Sequence, residues 1–255
     1  MHSRETVDRA LRLSALGLVD REVAKLCGVS LGAVQKWRTR TRRTSQDEDL
    51  RRHHSCPRCH GQTLDFEAYS YLLGLYLGDG HILLCKKGVY QLSLACCGTW
   101  PGLIEAAAKV MSAVMPTSSV SRRRHPGWTE VKSYSKHWAC LFPQHGPGRK
   151  HERKITLESW QREIVAANPG NLVRGLMHSD GYRGVNRVRR HFNGSDHWYE
   201  YPRYLFVNES RDILDLCGEA LDLLGVAWRY SKPNTISVAK RGAVERLDEF
   251  VGPKY

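Results

Sequence analysis

No stretch of this chain stays apolar for anything near the roughly 20 residues that cross a bilayer. The first ten residues carry charge where an export signal needs an apolar core. Both absences speak against a membrane or secreted protein and set the expectation of a cytoplasmic one, nucleoid-associated in a prokaryote. Acidic residues are also short. The chain has 26 Asp and Glu against 39 Lys and Arg, a net charge of +13. Such an excess asks for a polyanionic partner, of which nucleic acid is the commonest. A disulfide framework is missing too: of eight cysteines, only Cys56 and Cys59 stand at metal-ligand spacing. The rest read as small core residues or reduced thiols. Disorder is excluded by 41% hydrophobic residues with 25% charged.

Composition divides the chain into residues 1–43, a linker over 44–66, and residues 67–255. In the first part, Val7, Ala10 and Leu11 form an apolar stripe that stops at Gly17. A second short helix starts at Asp20 and stops at Gly28, and Ser30 is placed to N-cap a third through Val34 and Trp37. Two short helices around a glycine turn, the second running into Arg38, Arg40, Arg42 and Arg43, resemble a helix-turn-helix. On that resemblance Ser30, Gln35 and Lys36 face a major groove while Arg38 and Arg40 meet phosphates. A plain three-helix bundle with a basic end is the other reading.

The third part repeats itself. Leu72 to Gly80 reads LLGLYLGDG, and Val173 to Gly181 reads VRGLMHSDG. Each closes an apolar helix on an acid and a glycine, Asp79-Gly80 and then Asp180-Gly181. After each copy come two strand-like runs, an amphipathic helix, two more strands and a final helix. Both halves therefore read αββαββα, repeat one over 67–144 and repeat two over 155–255. The fold class expected is α+β, a pseudo-twofold pair of such units after a small all-α domain, acting as a monomer.

Small residues at Gly74 and Gly78, and at Gly175 and Ser179, lie four apart on one helix face. That spacing lets two helix backbones approach closely. Side by side, such helices bring Asp79 and Asp180 together at their C-terminal ends, where the helix dipole already disfavours a carboxylate. Cations must relieve the pair, and magnesium prefers this oxygen chemistry.

The two nonapeptides resemble the signature of the LAGLIDADG homing endonucleases in their single-chain, two-motif form, over about three-quarters of the sequence. The resemblance implies an intron-homing type of site-specific endonuclease that grips double-stranded DNA on a β-sheet saddle and cuts both strands. It implies magnesium held by Asp79 and Asp180, with the Gly78 and Ser179 backbone carbonyls contributing at most. The saddle would present Arg122, Arg123 and Arg124 in one half and Arg183, Arg187, Arg189 and Arg190 in the other, with Trp198 and Tyr199 among them. Lysines assist such chemistry. Lys136 and Lys240, matched where a last strand hands over to a helix, are the leading candidates, ahead of Lys150 and Lys154. At the sixth motif position, variable in chemistry though the family signature has an acid there, this chain holds Leu77 and His178.

Two other functions compete. A DNA-binding transcriptional regulator could keep the domain without catalysis, but would have no chemical reason to retain both acids. An RNA maturase would use the same saddle, but a recognition helix does not enter the deep, narrow major groove of RNA. Apart from these, Cys56-Pro57-Arg58-Cys59 has the geometry of half a zinc site, with His54 and His60 nearest in sequence and Cys85, Cys96 and Cys97 as further donors. Two reduced thiols in a turn is the bland alternative.

Overall fold

A computed structural model describes residues 2–39, 56–192, 194–252 and 254, and among them the backbone of His60 but not its side chain. The chain divides into two units, Met1–Gln62 and Thr63–Tyr255. No helix among the described residues is long and apolar enough to cross a membrane.

The first unit carries α1 (Arg4–Ala15), α2 (Asp20–Cys27), α3 (Leu31–Thr39) and a single turn, α4 (Pro57–His60). Gly28 adopts the left-handed conformation at the end of α2, with φ of 63°. Such a backbone is costly for any residue with a Cβ. Ser30 then opens α3, its Oγ accepting from the Ala33 N–H at 3.2 Å. Val7, Ala10, Val23, Ala24, Val34 and Trp37 form the core of these three helices.

In the second unit the first repeat runs α5 (Phe66–Leu77), β1 (Gly80–Cys85), β2 (Val89–Cys97), α6 (Pro101–Val114), β3 (Val120–His125), β4 (Trp128–Ser135) and α7 (Trp138–Leu141). Then α8 (Ser159–Ala167) precedes the second repeat: α9 (Pro169–Asp180), β5 (Gly181–Phe192), β6 (Ser195–Val207), α10 (Arg211–Leu223), β7 (Arg229–Lys232), β8 (Thr235–Val238) and α11 (Arg241–Asp248). The two antiparallel sheets share one order, β1-β2-β4-β3 and β5-β6-β8-β7. This is the αββαββα pair that the repeated pattern implied.

Helices α5 and α9 lie against each other at the centre, and glycine makes that possible. A Cβ built on Gly74 would stand 2.8 Å from the Gly175 Cα, closer than real Cβ atoms come to anything. Around them one continuous core joins both repeats, from Tyr69, Leu72 and Leu73 to Leu172, Leu176 and Phe206.

Two features depart from the sequence reading. First, α5 ends at Leu77, with Gly78 already out of helical geometry, whereas α9 runs on through Asp180. Second, the hairpin of repeat two is longer than its twin. Strands β5 and β6 pair over twelve residues, while β8 joins them only along Tyr204 to Val207. Past Arg203 the hairpin continues as a two-stranded ribbon.

Candidate metal and nucleic-acid site

Asp79 and Asp180 come together where α5 and α9 end. A Cβ on Gly78 would lie 3.1 Å from Asp180 Oδ2, so the two motifs meet at the acids themselves. Asp180 is half-buried, and its Oδ2 accepts from Asn208 Nδ2 at 2.8 Å. Asp79 keeps one side open to solvent, yet the protein crowding its carboxyl raises it to about 6. Burial is the first cause and the charge of Asp180 the second. Burial likewise raises Asp180, against the pull of Asn208 and two lysines. A carboxylate pair that resists ionisation is one that a divalent cation would satisfy.

Those lysines are Lys150 and Lys254. Lys150 Nζ donates to three carbonyls at the end of α5: Tyr76 O at 2.5 Å, Leu77 O at 3.0 Å and Gly78 O at 2.7 Å. Lys254 Nζ does the same for α9, donating to Ser179 O at 3.2 Å and Gly181 O at 2.6 Å. Carbonyls left over at a helix C-terminus attract cations. Burial pushes Lys150 down to about 8, while both acids pull it up. Lys254 is lowered too, chiefly by burial. Two acids and two ammonium groups thus share one site. The Gly78 and Ser179 carbonyls named as metal ligands are engaged by lysines here, although a carbonyl oxygen has two lone pairs.

Lys136 and Lys240 sit exposed at the strand-to-helix junctions expected of them, and neither is among the charges acting on the two acids. Lys154 is tied to Asp212. Pattern matching to the last strands thus singled out a different pair. The sequence does carry a signal for Lys150 and Lys254. Each follows a Gly-Pro step, Gly146-Pro147 and Gly252-Pro253, and each trails its motif acid by a similar distance.

His178 is buried and does not point at the acids. Its Nδ1 meets the Tyr71 hydroxyl at 2.8 Å and its Nε2 the Val251 carbonyl at 2.8 Å. Burial first, then Arg174, hold it down to about 4, so it is neutral. A cavity of about 560 Å³ opens beside Asp180, lined among others by Gly78, His81, Arg149, Lys150 and Asn208.

The basic strands lie open. Arg122, Arg123 and Arg124 are exposed on β3, Arg122 paired with Glu105 at 2.5 Å. On the ribbon, Arg187 stacks on Trp198 at 4.4 Å and Arg190 on Tyr199 at 5.6 Å. Arg189 pairs with Asp196 at 2.5 Å. Arg183 differs: Asp248 grips it with two bonds of 2.7 and 2.8 Å, so it is occupied within the fold. Tyr204 is buried and bonded to the same Asp248 at 2.5 Å, filling the sheet instead of facing outward. In the first unit Ser30, Gln35, Lys36 and Arg38 are all exposed, with Arg38 paired to Asp20 at 3.2 Å. Arg40 and His54 lie outside the described residues, as does the side chain of His60.

No family model matches the chain, and no curated protein matches it. Among solved structures, the homing endonuclease I-DmoI in complex with DNA and Mn is similar over 74% of this chain and 99% of that one, at 14% identity and a TM-score of 0.48. The N-terminal LAGLIDADG domain of DUF199/WhiA is similar over 84% of this chain and 93% of that one, at 11% identity and a TM-score of 0.43. The LAGLIDADG meganuclease I-AabMI bound to uncleaved DNA is similar over 71% and 82%, at 13% identity and a TM-score of 0.46.

Proposed function

We propose that this chain is a metal-dependent endonuclease that cuts both strands of a specific DNA duplex. One observation carries the reading. Two close-packed helices lead to two adjoining acids whose ionisation burial resists, an arrangement that a divalent cation would satisfy. The residues fit magnesium: carboxylate oxygens in a polar, partly open site that leaves room for coordinated water. Such an ion, when bound, supplies the charge that activates water and stabilises the leaving oxygen of a phosphodiester.

The chain's own groups do the rest. Asp79 and Asp180 hold the ion, and Asn208 fixes the orientation of the second carboxylate. Lys150 and Lys254 place positive charge where a phosphate gains negative charge in the transition state. The exposed arginines of β3 and β5 neutralise backbone phosphates, and the α3 face with Gln35 and Lys36 adds a second reading element. Binding of a random duplex library selects the target, and a cleavage assay with and without magnesium on the selected duplexes tests the activity. Tight binding without any cutting would turn the reading to a DNA-binding regulator.

A structural zinc ion at Cys56 and Cys59 is a separate proposal. Cys56 is buried, and its Sγ accepts from the Cys59 N–H at 3.4 Å, the local geometry of a metal-binding knuckle. Metal analysis of the wild type and of Cys56→Ser tests it. Loss of zinc in Cys56→Ser supports the site, and a zinc-free wild type ends the proposal.

A further inference from the structure

Near the end of the chain, Val251 and Lys254 are built into the fold. Val251 is 3% exposed, and its N–H bonds to Leu247 O at 2.9 Å at the end of α11. Its carbonyl accepts from His178 Nε2 at 2.8 Å. Because a carbonyl can only accept, the ring proton must be on Nε2, and Nδ1 accepts the Tyr71 hydroxyl on its other side. His178 therefore ties together α5, through Tyr71, and the C-terminal segment, through Val251. Three residues on, Lys254 reaches the end of α9 and donates to Ser179 O and Gly181 O.

We propose that His178 is a positioning residue that docks the C-terminal segment so that Lys254 stands beside the acid pair. The first repeat delivers its own lysine by another device. Leu77, the counterpart of His178, has no polar side-chain atom. The loop leading to Lys150 is instead pinned by Arg153, which donates to the carbonyls of Gln144, Gly146, Pro147 and Gly148. The motif position that carries an acid in the resembled family thus carries, in this repeat, the anchor for a remote cation. No side chain without a donor at that point could hold the Val251 carbonyl, which is buried away from water.

For its catalytic consequence the inference rests on the endonuclease reading, but its structural half is measured without cleavage. Four variants of the full chain suffice: His178→Leu, His178→Gln, Lys254→Met and Lys254→Arg. Hydrogen exchange of residues 250–254 should accelerate about tenfold in His178→Leu, the loss of roughly one buried hydrogen bond, and His178→Gln, which keeps a donor, should restore protection. Manganese affinity should rise in both His178→Leu, which undocks the Lys254 ammonium from the acids, and Lys254→Met, which deletes it. On the selected duplex, both should slow single-turnover cleavage without weakening DNA binding, and Lys254→Arg should recover part of the rate. Unchanged exchange in His178→Leu would overturn the docking role. Unchanged manganese affinity in Lys254→Met would overturn the placement of its charge. Wild-type protein that never cuts would end the endonuclease reading, while exchange and manganese affinity would still decide this one.

Discussion

Asp79 sits in a folded environment that favours its protonated form, and this has a measurable cost. Its carboxyl is raised to about 6 from an ordinary 3.8, so the folded chain holds that proton more tightly than the unfolded chain does. Its contribution to stability is full below the unfolded value and is lost as pH rises through the folded one. Denaturant unfolding in the presence of a chelator should therefore show stability falling between pH 4 and pH 6, and Asp79→Asn should flatten that fall. An identical pH profile in the variant would remove the electrostatic account of this site. Adding magnesium at neutral pH should raise the melting temperature of the wild type, because a ligand bound only by the folded state stabilises it, and should do so much less in Asp79→Asn. Both acids were legible in the sequence because the motif occurs twice. Lys150 was legible only as a secondary candidate and Lys254 was not singled out, because they reach the site through a loop and a terminal segment whose paths no local periodicity encodes. His178 stood out only as the residue at the sixth motif position, and its partner Val251 lies 73 residues away.

The central helix pair is where sequence and fold are bound most tightly. At Gly74 and Gly175 a side chain would run into the backbone of the opposite helix, which cannot shift as a side-chain tip can. Gly74→Leu should destabilise the second unit by about 1–3 kcal/mol or more through overpacking, read as a lower denaturant midpoint. Wild-type stability in that variant would mean that the helices do not pack this way. Strand and helix order was readable because alternating and helical periods switch cleanly at Gly80, Gly181 and the Pro101 helix start. Helix α8 went unassigned because Asn168-Pro169 breaks it from α9 and no second copy precedes the first repeat. The ribbon of β5 and β6 outran its expected length because charged and aromatic residues alternate there without an apolar face to mark it. Under the proposed function its arginines meet phosphates. Arg187→Ala and Arg190→Ala should each weaken DNA binding across sequences and lower the salt slope by about one. An unchanged slope would take the ribbon off the DNA.

At the scale of the whole molecule, a net charge of +13 is spread over an all-helical unit and a duplicated α+β unit. Deleting residues 1–43 should lower affinity for the selected duplex and flatten its salt dependence, since fewer phosphates are neutralised, while cleavage at saturating protein persists. The duplication itself makes the sharpest demand. If each repeat supplies one acid to a shared metal site, removing either charge should disable cutting without loosening the grip on DNA. The measurement is strand-resolved cleavage of the selected duplex in magnesium, beside gel-shift affinity, for wild type, Asp79→Asn and Asp180→Asn. Each variant should lose cutting of at least one strand while binding as tightly as the wild type or tighter, because a carboxylate near phosphate has been neutralised. Full cutting of both strands by both variants would place the active site elsewhere and make the acid pair structural.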